Sequence, residues 1–143
     1  MKAITLRSPW AWCVCYLGKS VENRGWAPSR AELAPGERFA IHASKLSPLR
    51  EIQTAFDWML DKELVRVGQI PTMDELRRQS SSIVAVAAYA GAKTTHESGW
   101  FVGRFGWTWS ELLVLPTPVP CRGFQKLWTM SADIETLVRG QLP

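Results

Sequence analysis

Histidine and cysteine are scarce in this chain, and their scarcity narrows its chemistry. Its 143 residues include two histidines, His42 and His96, and three cysteines, Cys13, Cys15 and Cys121. An odd cysteine count without framework spacing argues against a disulfide scaffold. Cys13 and Cys15 form a C-x-C step inside an apolar run, not the C-x-x-C of redox or zinc sites, and read as small buried residues. So few scattered ligands make a transition-metal site improbable, and no metal or other cofactor is expected. Long hydrophobic runs are also missing. None approaches the roughly 20 residues that span a bilayer, so no membrane partner is expected. Arg7 and Pro9 come too early for a signal-peptide core, which leads to the expectation of a cytoplasmic protein. There are no internal repeats and no low-complexity tract.

What is present suits one folded domain over residues 1–143. Apolar residues make up 46% of the chain and charged residues 21%, an ordinary globular balance able to bury a core. The net charge is +4 and is unevenly spread. Residues 1–50 carry eight Lys/Arg against three Glu, residues 51–80 four against six acidic, and residues 81–143 five against four. The positive excess lies in the first third, which favours an anionic partner such as a nucleic acid. Eight tryptophans are the second departure from the ordinary. Indoles supply core area, and beside Arg and Lys they also suit stacking on bases.

The densest stretch is Gly18-Lys19-Ser20-Val21-Glu22-Asn23-Arg24-Gly25-Trp26. If it is extended, a period of two places Glu22, Arg24 and Trp26 on one face and turns Val21 into the core. A carboxylate, a guanidinium and an indole on one face suit a planar polar ligand.

The rest of the chain alternates short strands with a few helices. Ala3 to Arg7 reads as a first strand. Ser8-Pro9 reads as a helix start with Ser8 as cap, and the helix runs from Trp10 to Leu17 and closes at Gly18. A turn is expected at residues 34–37 and a strand over Arg38–Ala43, with Phe39 and Ile41 on one side and Arg38, Ala40 and His42 on the other. Ser47-Pro48 opens an amphipathic helix to about Leu64. Thr72 and Glu75 form a capping box before a short helix. Ile83 to Ala90, apolar on both faces, reads as a central strand. Residues 100–115 hold one or two strands with bends at Gly103 and Gly106, and Pro116, Pro118 and Pro120 punctuate a loop or edge. A short extended piece near Gln125–Met130 precedes a last helix ending near Gly140. The sum is an α+β domain, a small β-barrel of about six strands with two or three helices packed outside.

Four blocks resemble one known family. Ser8-Pro9-Trp10-Ala11, Gly18-Lys19-x-x-Glu22-x-Arg24-x-Trp26, Ile41-His42-Ala43-Ser44-Lys45 and Pro120-x-Arg122-Gly123-x-Gln125-x-x-Trp128 are similar, in this order, to the motifs of the ASCH domain family. That family is a branch of the PUA-like β-barrel superfamily. The resemblance runs from residue 3 to about 130. It implies a barrel whose mouth binds RNA or single-stranded nucleic acid, and it brings possible activities with it. Some bacterial members are amidohydrolases on N4-acetylcytidine, and others have been reported as ribonucleases.

The nucleic-acid-binding candidates are then Trp10, Lys19, Glu22, Arg24, Trp26, Ser44, Lys45, Arg122 and Gln125. Trp10 and Trp26 offer stacking walls, and Glu22 can accept from an exocyclic amine. Lys19, Arg24, Lys45 and Arg122 can meet phosphate, and Gln125 can meet a base edge. If the protein is an enzyme, Lys19, Glu22 and His42 are the catalytic candidates by residue type. The family's amidohydrolases place a Thr nucleophile three residues after the Lys. Here that position holds Glu22, which cannot supply a hydroxyl. A binding module for RNA or single-stranded nucleic acid is therefore favoured. The alternatives are a hydrolase on a modified nucleoside, a metal-independent ribonuclease, or a protein-interaction module.

Overall fold

The computed structural model describes residues 1–143. Six strands form one curled sheet: β1 (Lys2–Leu6), β2 (Val21–Arg24), β3 (Arg38–Ala43), β4 (Ser82–Lys93), β5 (Phe105–Pro120) and β6 (Leu127–Thr129). Their order is β2-β5-β4-β3-β1-β6. Only β1 and β3 run parallel, Lys2 opposite Phe39 through Leu6 opposite Ala43, and every other pair is antiparallel. The end strands β2 and β6 do not pair, so the sheet is a half-barrel with an open seam. Four helices accompany it, one more than the upper expectation: α1 (Trp10–Tyr16), α2 (Leu49–Asp61), α3 (Met73–Gln79) and α4 (Ala132–Arg139). None is long and apolar enough to cross a membrane.

Both faces of the sheet are buried. Ile4, Leu6, Phe39, Ile41, Ala87 and Tyr89 pack around Trp107 together with Ala11 and Val14 of α1. Ala40, Ile83, Val86 and Val119 form a second cluster on the other face, covered by Val138 of α4. A third cluster joins Cys13 of α1 to Ile52, Phe56 and Met59 of α2, Leu76 of α3 and Trp100. Trp107 is fully buried, its indole N–H donates to the Trp26 carbonyl at 3.0 Å, and the Trp26 ring meets it edge-on at 5.0 Å. The expected alternation of β3 is thus replaced by burial on both sides. The register shifts after Ile41, where Val84 of β4 is the extra residue between the partners of Ile41 and His42.

Several sequence signals act as their chemistry requires. Thr72 accepts from the Glu75 amide while Glu75 accepts from the Thr72 amide, closing the capping box of α3. Ser131 caps α4 by accepting from the Ile134 amide. Gly18, at φ +73, allows the Lys19 amide to return to the Cys13 carbonyl at 3.1 Å and end α1. Ser8 does not cap α1. Pro9 holds the cap position, and the Trp10 amide is met by the Arg7 carbonyl at 2.8 Å.

The larger difference lies in β5. It is one strand of 16 residues that carries Pro116, Pro118 and Pro120 within it. β2 covers it only opposite Phe105–Thr108, so the later residues form an edge that needs no second set of N–H donors. The register against β4 jumps from Val114 opposite Ala85 to Val119 opposite Ile83, which places Pro116 and Pro118 in the irregular stretch. β2 ends at Arg24, short of Trp26, so a bend and not the strand pleat positions that indole.

Candidate functional site

The site is built at the seam. Lys19 follows α1 directly and Glu22 lies on β2, and they are only 3% and 8% exposed. The Lys19 ammonium donates to the Val21 carbonyl at 2.6 Å and to Glu22 Oε1 at 2.8 Å, and it sits 5.9 Å from the Trp10 ring centroid. The other carboxylate oxygen, Glu22 Oε2, lies 3.2 Å from Arg24 Nε. That contact is an ion pair without hydrogen-bond alignment, and the buried Arg24 Nε–H makes no hydrogen bond. Arg24 Nη2 crosses the seam and donates to the Thr5 carbonyl of β1 at 2.8 Å. β6 pairs with β1 only from Lys2 to Ile4, so the guanidinium takes over where the ladder stops. One carboxylate between two cations, tied at both ends to backbone carbonyls, closes the seam with side chains.

Two clefts open on either side of this network. The first, about 710 Å³, has Lys19, Glu22 and Asn23 at its base and Trp10, Trp58 and Trp100 among its walls. Trp10 and Trp58 meet edge to face at 6.1 Å. Asn23 fixes the third indole: its amide donates to the Trp100 carbonyl at 2.9 Å and accepts from the Val102 N–H at 2.9 Å. Trp58, Trp100 and Asn23 were not singled out by the sequence motifs. They come from α2, from the loop before β5 and from the middle of β2, and no local pattern links them.

The second cleft, about 770 Å³, is electrostatically different. Arg7, Arg24, Lys45, Arg122 and Lys126 line it, and no carboxylate does. Trp26, Ser44, Gln125 and the half-exposed Phe124 are also part of its surface. The Arg122 guanidinium lies 5.1 Å from the Phe124 ring centroid. Ser44 turns its hydroxyl to the Lys45 carbonyl at 3.1 Å.

The nine binding candidates are therefore divided. Trp10, Lys19 and Glu22 belong to the aromatic cleft, and Arg24, Trp26, Ser44, Lys45, Arg122 and Gln125 to the cationic one. Glu22 and Arg24 share a face of β2, where their side chains pair, yet they line different clefts, and Trp26 lies beyond the end of the strand. Arg7 and Lys126 are cations the motifs did not select. Arg7 is the one residue that lines both clefts.

His42 lines the cationic cleft from beneath. Its Nε2–H donates to the Cys121 carbonyl at 2.9 Å, and Nδ1 is 3.3 Å from Thr5 Oγ1. The Trp128 indole N–H donates to that same hydroxyl at 3.1 Å, which directs the hydroxyl proton toward Nδ1. Gly123 packs against the ring so closely that an added Cβ would lie 2.4 Å from His42 Cε1 and 2.7 Å from Thr5 Oγ1. Both ring nitrogens are thus engaged in holding the floor of the cleft. Burial pushes the imidazole pKa below its ordinary 6.5, partly opposed by the bond to Cys121. Burial likewise raises the Cys13 and Cys15 thiols to about 12, so neither is a ready nucleophile.

Two outcomes follow from this geometry. Replacing Lys19 by Met leaves Glu22 buried with Arg24 as its one cation, and should lower unfolding stability by about 3 kcal/mol in denaturant titration. A change under about 0.5 kcal/mol would mean the pair is not structural. For His42, the unfolded chain takes up a proton below about pH 6.5 while the folded protein still excludes it. Stability from this group should therefore fall as pH drops from about 6.5 to the lower folded pKa, then level off. An NMR titration of the His42 ring should give a midpoint below 6.5; a midpoint above it contradicts the assignment. Comparison with known proteins adds no identity: no family model and no curated protein matches the chain.

Proposed function

We propose that this chain is an ASCH-type, PUA-like domain that binds RNA or single-stranded nucleic acid across its two clefts. An unpaired base lies among the indoles of the aromatic cleft, and the sugar-phosphate strand runs along the cationic one. The observation that carries this reading is the second cleft, with five cations, no carboxylate and a position directly beside the aromatic pocket. Three of the five, Lys45, Arg122 and Lys126, have no carboxylate partner, whereas Arg7 and Arg24 are paired with Glu51 and Glu22. Unpaired cations attract a polyanion, and phosphate contacts supply most of sequence-independent affinity.

The aromatic cleft suits the other half of a nucleotide. Its volume is in the range of small-molecule sites, and base–indole stacking contributes about 1–3 kcal/mol per base. Lys19 and Arg24 keep Glu22 neutralised on both oxygens, and the carboxylate retains lone pairs for an exocyclic amine. A paired base in a duplex would have to leave its stack to reach this pocket, which favours single strands.

A hydrolase has less support. Lys19 gives its two hydrogen bonds to Val21 and Glu22, and no hydroxyl is bonded to either member of the pair. An activated nucleophile needs a base within hydrogen-bond reach. His42 is occupied on both nitrogens.

The test is fluorescence anisotropy with a labelled, unstructured oligoribonucleotide. Lys45, Arg122 and Lys126 are exposed, so the triple alanine variant should fold normally. It should bind at least about tenfold more weakly, with a salt slope flatter by roughly 2, near 0.7 per lost phosphate contact on a single strand. Equal affinity of variant and wild type rejects the proposal. Incubation with N4-acetylcytidine should leave it intact. Turnover abolished by Glu22→Gln would move the conclusion to an enzyme.

A further inference from the structure

Arg7 stands between the two clefts with a carboxylate already in its grip. Its Nη2 donates to Glu51 Oε2 at 2.7 Å, and the two side chains are 71% and 49% exposed. Arg7 follows the end of β1 and Glu51 lies in the first turn of α2, so the pair ties the strand side of the mouth to the helix side. Glu22 is already neutralised by Lys19 and Arg24. Glu51 is therefore the one other carboxylate on the aromatic cleft, and Arg7 holds it.

We propose that Arg7 is an exchangeable clamp: Glu51 holds it in the free protein, and it transfers to the phosphate that joins a base in the aromatic cleft to the strand in the cationic cleft. This rests on the nucleotide reading of the two clefts. The exchange costs little on the protein side. An exposed ion pair contributes only about 0–1 kcal/mol, so it yields readily to a better partner. A guanidinium can meet a phosphate with two parallel charge-assisted hydrogen bonds. The released Glu51 carboxylate stays in solvent at the N-terminal end of a 13-residue helix, where the helix dipole favours a negative charge.

The clamp makes Glu51 a competitor of the ligand, so removing it should tighten binding. It also confines the effect to ligands that carry the bridging phosphate. The experiment compares Glu51→Gln, Arg7→Ala and Glu111→Gln with wild type. Glu111 forms a similar exposed pair with Arg38 and lines neither cleft, so it controls for net charge. With an unstructured oligoribonucleotide, Glu51→Gln should bind about two- to fivefold tighter, the range an exposed ion pair allows. Arg7→Ala should bind about fivefold or more weakly, and Glu111→Gln should change less than Glu51→Gln. With the corresponding free nucleosides, all three should stay within about twofold of wild type. In 15N-labelled protein, the Arg7 Nε–H signal should differ between wild type and Glu51→Gln when free, and coincide when saturated with the oligonucleotide. If wild type binds the oligonucleotide but Glu51→Gln binds no tighter than Glu111→Gln, the clamp is overturned and the nucleic-acid reading stands. If wild type binds no oligonucleotide, both fall together.

Discussion

The Glu22 carboxylate, held between Lys19 and Arg24, is the contact on which the rest of the architecture turns. The sheet curls until β2 faces β1, but its end strands never pair. Backbone hydrogen bonds cannot close that gap, and side chains do. Lys19 returns to the Val21 carbonyl, Glu22 bridges to Arg24, and Arg24 reaches the Thr5 carbonyl on the far side. A buried charge without partners is costly, and here each of the three has at least one. A continuous β-ladder would have sealed this side of the barrel. A seam made of side chains leaves room for a cleft on each side.

The same network sets the different electrostatics of those clefts. Lys19 and Arg7 face Glu22 and Glu51 in the aromatic cleft, so that side is polar but balanced in charge. On the other side, Lys45, Arg122 and Lys126 line the cleft beside Arg24, and no acid lines it. The proposed division of labour, base on one side and phosphate on the other, follows from this asymmetry. Thr5, His42, Trp128 and the Cys121 carbonyl then hold the cationic floor through a chain of hydrogen bonds, which the glycine at 123 allows to pack tightly. The late loop that carries Arg122 is thereby fixed against β1, which the Arg24 bridge reaches across the seam, and against its neighbour β3.

Local chemistry in the sequence was a good guide to β3 and to the start of α3, though not to the cap of α1, which Ser8 does not supply. β3 spans Arg38–Ala43 as its β-pattern predicts, and α3 begins where Thr72 and Glu75 can cap one another. The charged cluster from Lys19 to Trp26 was recognisable because its members are close in the chain. What was not legible depends on distant partners. β5 tolerates three prolines because β2 covers only its first residues, a fact about another strand. Glu22 and Arg24 share a strand face, yet their opening onto separate clefts depends on the Thr5 carbonyl across the seam. Trp58 and Trp100 join Trp10 only after α2 and the loop before β5 have packed. Arg7 looks like an ordinary strand-end cation until Glu51 and both cleft mouths are in place.

The most direct test of the central claim, two subsites on either side of one ion network, is an NMR titration with a short unstructured oligoribonucleotide. The indole N–H signals of Trp10, Trp58 and Trp100 and the amides around Lys45, Arg122 and Lys126 should shift together, with one dissociation constant. Shifts confined to one cleft, or scattered over surfaces outside both, would contradict the claim.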